Sequence, residues 1–424
     1  MTFNFRRITT HKRFIPQIDG LRFVAISSVV FFHLYASLNH GGAVQSAAFD
    51  PVRVGILSKR GVELFFAISG FILGVPFASA YLRGAPKINL KQYFLRRLTR
   101  LEPPYILSLL IWAGILLAVA HQSGREILPH LLASMAYLHN LIYNGDSTIN
   151  VVAWSLEVEV QFYVLVPLLA SIFAIADNRM RRGAIVILML VSAFLGGQLL
   201  HTRLEASVAY YLPFFLAGFL LCDLYLTRRE WKPSWVWDVV ALSGWPLVWY
   251  LSPWWSHVLL PFIIVLLYLA AFRGRLCSAL FSHPIVTDIG GMCYSIYLFH
   301  FLIISAVCRI SKPIHFGPNF WVYYLLQAAL VVPFVLMFCG AFFLLVERPC
   351  MDKNWPCKLR NRWLVSPPEP VATAIASKVE QPSSNPSSIS PSTRPLNPSQ
   401  PFPSREDFVY PKFVRGTNSP TTNQ

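Results

Sequence analysis

The sequence predicts an all-α, polytopic integral membrane protein of about ten transmembrane helices with both termini in the cytoplasm. Three observations predict it. The 424 residues are 55% apolar and only 13% charged, where soluble domains carry about 25% charged residues. The mean hydropathy is +0.50. The apolar residues also gather in runs close to the ~20 residues that a helix needs to cross a bilayer. In order, the runs are 18–38, 61–82, 103–121, 154–176, 183–200, 207–226, 236–251, 256–272, 289–309 and 320–346. Run 236–251 is short and rich in tryptophan. Segment 127–142 is a weaker run, expected as an interfacial helix in an outer loop.

Charge sets the expected orientation. The formal net charge is +16, from 36 Lys and Arg against 20 Asp and Glu. In a soluble protein that excess would point to nucleic acid. Here the cations sit in alternate loops: Arg6, Arg7, Lys12 and Arg13 before the first run, then Arg83 to Arg100, Arg179 to Arg182, Arg228 to Lys232, Arg273 and Arg275, and Arg348 to Arg362. The positive-inside rule places those loops and both termini in the cytoplasm, against anionic headgroups. Lys312 and the loop 39–60, with Arg53, Lys59 and Arg60, fit that pattern less well. The first run resembles a signal peptide in its basic flank, but its length and its Arg22 and His33 favour an uncleaved anchor. The seven cysteines form no C-x-x-C pair, which argues against a disulfide framework or a zinc site. Cys350 and Cys357 flank the last run and are candidates for lipidation.

These boundaries divide the chain into a basic cytoplasmic segment 1–17, a membrane domain 18–346 and a cytoplasmic segment 347–424. From about Ser366 the last segment is Pro- and Ser-rich, without apolar periodicity, and is expected to be disordered. No fused soluble catalytic domain and no internal repeat is visible.

Several residues are out of place in lipid. GLRFVAISSVVFFHLYAS carries Arg22 and His33 eleven residues apart, close to three helical turns, so both lie on one face about 16 Å apart. A charge in mid-helix costs about 2.5–3.5 kcal/mol and usually faces a cavity or a partner. For Arg22 the simpler reading is snorkelling to the cytoplasmic interface; for His33 it is an interhelical hydrogen bond. WSLEVEVQFYVLVP places Glu157 and Glu159 at a depth matching His33. A carboxylate beside an imidazole suits a general-base pair. Two residues apart, the two acids point to different faces, so at most one joins His33. KQYFLRRLTRLEPPY reads as the loop before the third run. Its Arg97 and Arg100 share a face if helical, and guanidinium forks match phosphate oxygens; ordinary headgroup contact explains them equally. GVELFFAISGFILG places Glu63 near the outer end of the second run, with Ser69 and Gly70 in its middle, where close helix packing is the default reading. YSIYLFHF buries Tyr294 and His300, for which interhelical hydrogen bonds suffice. Glu347 and Arg348 in VERP read as a cytoplasmic stop.

Taken in order, these stretches resemble the acyltransferase-3 family of bacterial membrane proteins, over about residues 17–350. IDGLRFVAISSVVFFH carries the family's Arg-x10-His, GVELFFAISGFILG its Ser-Gly-Phe, and FLRRLTRLEPPY its Arg-x-x-Arg. WSLEVEVQFY, YSIYLFH and VERP follow in sequence. The family's tryptophan-to-glutamate stretch often ends in two adjacent acids; here Val160 takes the second place, so only Glu159 carries over. The resemblance implies transfer of an acyl group, acetyl by default, from cytoplasmic acyl-CoA to a hydroxyl of an extracytoplasmic carbohydrate or lipid-linked glycan, in the inner membrane. It implies His33, Arg22 and Glu159 as catalytic residues, with Arg97, Arg100, Arg96 and Ser69 holding the acyl-CoA. No metal and no nucleic acid are expected. Transfer by His33 as general base and transfer through an acyl-histidine both remain open. Direct transfer to the acceptor is favoured, leaving room for a separate acceptor-side partner protein. A transporter or flippase also explains intramembrane charge, although neither paired repeat halves nor obviously broken spans are visible. An inert scaffold does not explain the Arg22–His33 spacing.

Overall fold

Apolar runs of this length in lipid can satisfy their backbone polar groups only as helices, and helices are what they form. The computed structural model describes residues 5–8, 14–39, 51–200, 202–227, 231–251, 253–311, 319–352 and 355. The predicted disordered tail and Cys357 lie outside the described residues, which contain helices and no strands. In chain order the helices are α1 (Pro16–Asn39), α2 (Pro51–Leu82), α3 (Leu90–Ala118), α4 (Gly124–Met135), α5 (His139–Tyr143), α6 (Trp154–Leu169), α7 (Asn178–Gly197), α8 (Val208–Thr227), α9 (Trp235–Tyr250), α10 (Pro253–Arg273), α11 (Arg275–Phe281), α12 (Pro284–Gly291), α13 (Cys293–Ser311) and α14 (Phe320–Phe342). Nine helical stretches among the described residues are long and apolar enough to cross a membrane. The tenth expected run, 236–251, forms α9, whose 16 residues reach about 24 Å. Successive crossings alternate between a near end, where α1 begins, and a far end, where it finishes.

Two boundaries differ from expectation. The third crossing starts at Leu90 rather than near 103, so Arg96, Arg97 and Arg100 lie on helix α3 and not in a loop. Pro103 and Pro104 suggest a break because a proline has no N–H for the carbonyl four residues back. The carbonyl that Pro103 frees is that of Thr99, and it accepts the indole N–H of Trp355 at 3.0 Å. The helix therefore continues through the pair. The same device recurs in α6. Pro167 frees the Tyr163 carbonyl, and the Tyr93 hydroxyl donates to it at 3.2 Å. The expected run 289–309 instead divides at Met292 into α12 and α13.

The centre of the fold is the crossing of α2 and α8, and small residues let these helices meet. A Cβ at Gly70 would lie 2.0 Å from the Phe215 carbonyl oxygen, and one at Gly218 would lie 2.2 Å from that of Ala67. Phe66, Phe71, Phe162, Phe214, Phe215 and Phe219 fill the space around this crossing. A second cluster joins α1, α3, α13 and α14 through Leu34, Tyr105, Phe299 and Val335. Between these two clusters lie the polar side chains of the candidate site.

Candidate active site

α1 carries His33 toward the far end, three turns beyond Arg22. The imidazole is partly buried between Phe32, His300 and Phe301, with ring centroids 5.0, 5.1 and 5.3 Å away. It lines a cavity of about 430 Å³ whose walls include Trp154, Ser155, Tyr211 and Tyr297, the loop residues 144–146, and Thr202, Arg203, Glu205 and Ala206. His300 is fully buried. Its Nδ1 approaches the carbonyls of Ile296 and Tyr297 at 2.8 and 2.9 Å. Carbonyls only accept, so Nδ1 carries the proton. Nε2 is then a lone pair, buried without a hydrogen-bond partner, on the ring beside His33.

The carboxylate expected beside His33 is not there: among the described residues, no hydrogen bond joins His33 to Glu157 or Glu159. The reason lies in the helix geometry anticipated for α6. Glu157 faces α5 and accepts the backbone N–H of Asn140 at 3.0 Å, a favourable place for negative charge at a helix start. Glu159 faces α2. One of its oxygens accepts the hydroxyls of Ser69 at 2.7 Å and Tyr163 at 2.6 Å. Glu159 and Ser69, expected in separate roles, thus share one hydrogen bond. Tyr163 escaped the sequence reading, although it stands one helical turn from Glu159, where i to i+4 partners meet.

The polar line continues toward the near end. The Arg97 guanidinium lies 3.8 Å from the Tyr93 ring centroid and 5.5 Å from that of Tyr163, in cation–π range. Arg96 projects outward and donates to the carbonyl and side chain of Gln92. Arg22 donates to Asp19 Oδ1 at 2.5 Å, so its charge is paired rather than simply snorkelled. Arg100 belongs to the same charged group, within electrostatic reach of Asp19 and Glu347. Glu347 is not a solvent-exposed stop. It is 2% exposed and accepts the backbone N–H and the hydroxyl of Ser295 at 3.0 and 2.5 Å, capping the start of α13. Cys350 is buried, which removes it as a lipidation site. Tyr294 makes the expected interhelical bond, donating to the Leu101 carbonyl at 3.0 Å. Among the described residues, no group of three or more His, Cys, Asp or Glu side chains is placed to hold a metal ion.

At the far end α4 and α5 meet through His130 Nδ1 and His139 Nε2, 2.9 Å apart, with the Tyr143 ring 4.2 and 4.8 Å from the two imidazoles. Glu157, bonded to the next backbone N–H, is the nearest carboxylate on α6. Burial, then the charge of His130, holds the His139 imidazole below its ordinary value of 6.5. The unfolded segment therefore takes up a proton before the folded one does. The His139 contribution to the stability of this corner is complete above about pH 6.5 and falls as the pH drops below it. Amide protection factors across residues 139–147, which take out the intrinsic slowing of exchange in acid, should fall between pH 6.5 and 5, and His130→Ala should reduce that fall.

A family model described as an acyltransferase domain matches residues 15–345. A Bacillus subtilis protein named as a candidate peptidoglycan O-acetyltransferase is 28% identical over 222 residues, 48% of this chain and 31% of its own length. A candidate O-acetyltransferase of Staphylococcus aureus is 25% identical over 334 residues, 70% of this chain and 51% of its own. The O-acetyltransferase OatA of S. aureus is 28% identical over 181 residues, 40% of this chain and 27% of its own. The chain thus spans between about a quarter and a half of the length of the curated relatives it matches. No solved structure matches it. With 331 consecutive residues inside one family model, the chain belongs to the acyltransferase-3 family.

Proposed function

We propose that this chain is a membrane O-acyltransferase that moves an acyl group, acetyl in the first instance, from acyl-CoA to a hydroxyl of a carbohydrate-type acceptor. The observation that carries this reading is the position of His33, a ring with no hydrogen-bond partner among the described residues, in the wall of a far-end cavity of about 430 Å³. Around it stand groups suited to a polyol: Asn140, Asn144, Asp146 and Arg203 for hydroxyls, and Trp154 for the face of a sugar ring. The names of the relatives favour an acetyl group and a cell-wall glycan.

The near end, richer in arginine, faces the cytoplasm in this reading, by the positive-inside rule, and the membrane is the inner membrane. Arg97 and Arg100, with Arg96 at the rim, meet the phosphates of acyl-CoA through charge-assisted hydrogen bonds. The acyl-pantetheine arm passes Arg22 and the Ser69–Glu159–Tyr163 group toward His33. There the imidazole takes the proton of the acceptor hydroxyl as its oxygen attacks the thioester carbonyl. The C–S bond breaks, the acyl group moves to oxygen, and the thiolate leaves with the proton returned by the imidazolium. Glu159 keeps the mid-membrane hydroxyls in place instead of orienting His33. Membrane domain 18–346 carries all of these groups.

The test uses purified full-length protein in vesicles with radiolabelled acetyl-CoA. Release of free coenzyme A and labelling of the acceptor, both dependent on added acceptor, support the reading. Movement of a solute across the vesicle wall with the thioester left intact overturns it in favour of transport.

A further inference from the structure

The near-end cluster contains a residue that the proposed mechanism does not use. Arg7 lies outside the membrane-spanning helices, on the short segment Phe5–Ile8, yet its Nη1 reaches Asp19 Oδ1 at 3.1 Å. Arg22 Nη1 binds the same oxygen at 2.5 Å. Both guanidiniums are largely covered, with 13% and 12% of their side chains exposed, and Asp19 is 6% exposed. One carboxylate oxygen therefore serves two arginines.

The segment is seated rather than draped. Phe5 packs beside Met292, Phe343 and Met351. Two glycines open its groove. A Cβ on Gly291, at the end of α12, would come within 3.3 Å of the Arg7 side chain, and one on Gly340 of α14 within 3.4 Å of the Phe5 ring. Arg348 donates to the Arg6 carbonyl at 3.4 Å. A ring in an apolar slot, two cleared positions and an ion pair fix Arg7 at the mouth of the charged group.

From this geometry we infer that Arg7 is a positioning residue for the acyl donor: by sharing Asp19 it leaves Arg22 with positive charge to offer to the donor's phosphate or thioester end. The physics is a count of charges. Two guanidiniums on one carboxylate leave one net positive charge on that trio, at a place where partial burial weakens screening; Arg100, Glu347 and Asp288 also stand in electrostatic reach and are the same with and without Arg7. Without Arg7, Asp19 neutralises Arg22 alone, and the pair presents no net charge to an anion. Arg100 reaches the same group electrostatically, so the effect is felt where the donor's charged end arrives. The inference rests on the acyl-CoA reading above.

The experiment titrates coenzyme A itself into purified full-length protein in nanodiscs, alongside acetyl-transfer kinetics. Arg7→Ala should weaken coenzyme A binding about tenfold, the effect of removing one nearby positive charge from the place where the anionic donor docks. It should raise KM for the donor while leaving KM for the acceptor and the thermal midpoint unchanged. Arg7→Lys should keep most of the affinity. Arg7→Ala combined with Asp19→Asn should recover binding, because the carboxylate that captured Arg22 is gone. A merely structural anchor would move the thermal midpoint and would not be rescued by removing Asp19. Unchanged binding by Arg7→Ala overturns the inference and leaves the function standing. Tighter binding overturns it as well and makes the segment a plug. No binding of coenzyme A by the unaltered protein removes the donor reading itself.

Discussion

Replacing His33 with alanine should lower acyl transfer by about 10²–10⁴, the usual worth of a positioned general base, while the protein still inserts and folds. The second half of that expectation follows from the contacts. His33 touches Phe32, His300 and Phe301 by ring packing alone and faces a cavity, so its removal leaves no buried donor or acceptor stranded. His33→Phe sharpens the result, because it keeps an aromatic ring among its neighbours and removes the ring nitrogens. Acceptor-dependent coenzyme A release, measured beside size-exclusion profiles of both variants, checks the prediction. Normal turnover by His33→Phe would exclude His33 as the base.

Asp223→Ala should be among the most destabilising single changes in the protein, at about 3–5 kcal/mol, because it strands a buried charge. Asp223 and Arg181 are both fully buried, and Arg181 Nε meets Asp223 Oδ1 at 2.6 Å. Arg182 Nε takes the other oxygen at 2.6 Å. Arg181 further donates to the carbonyls of Ile175 and Ala176 and to Asn178 Oδ1. It thereby ties the end of the α6 segment to α7 and α8 at the near end. Loss of the carboxylate leaves Arg181 with neutral partners and no counter-ion. Coupling Arg181→Met and Arg182→Met to Asp223→Leu should recover much of the loss, since apolar replacement of all three members avoids a stranded charge. Thermal unfolding in detergent reads both variants. An unchanged midpoint for Asp223→Ala would mean that water reaches this group.

Hydropathy and spacing made the crossings legible because the bilayer imposes one length on every one of them. They also made legible a helical segment over 127–142, which the structure divides into α4 and α5, and the placing of His33 and Arg22 on one face of α1. What stayed hidden depends on contacts between distant segments. KQYFLRRLTRLEPPY reads as a loop before a crossing that starts at 103, because nothing local supplies a donor to Thr99; the donor is Trp355, far along the chain. Glu157 and Glu159 could be assigned to opposite faces, but the neighbour of each face could not be read from α6 alone. His300 looked like an ordinary interhelical donor until its hydrogen bonds proved to lie within its own helix, leaving Nε2 bare beside His33. Arg7 gave no signal beyond its charge, since its seat is built from Gly291 and Gly340, hundreds of residues away.

The proline joints of α3 and α6 alter how the bundle can flex. Each substitutes a tether from a separate part of the chain for a rung that the helix itself would have supplied. Tyr93 is on α3, and the carbonyl it secures is on α6, one turn below Glu159. A shift of α3 at its arginine-bearing start therefore pulls on α6 at its weakest rung. The Tyr93 hydroxyl thus joins the arginine-bearing start of α3 to α6 at the rung that Pro167 leaves open.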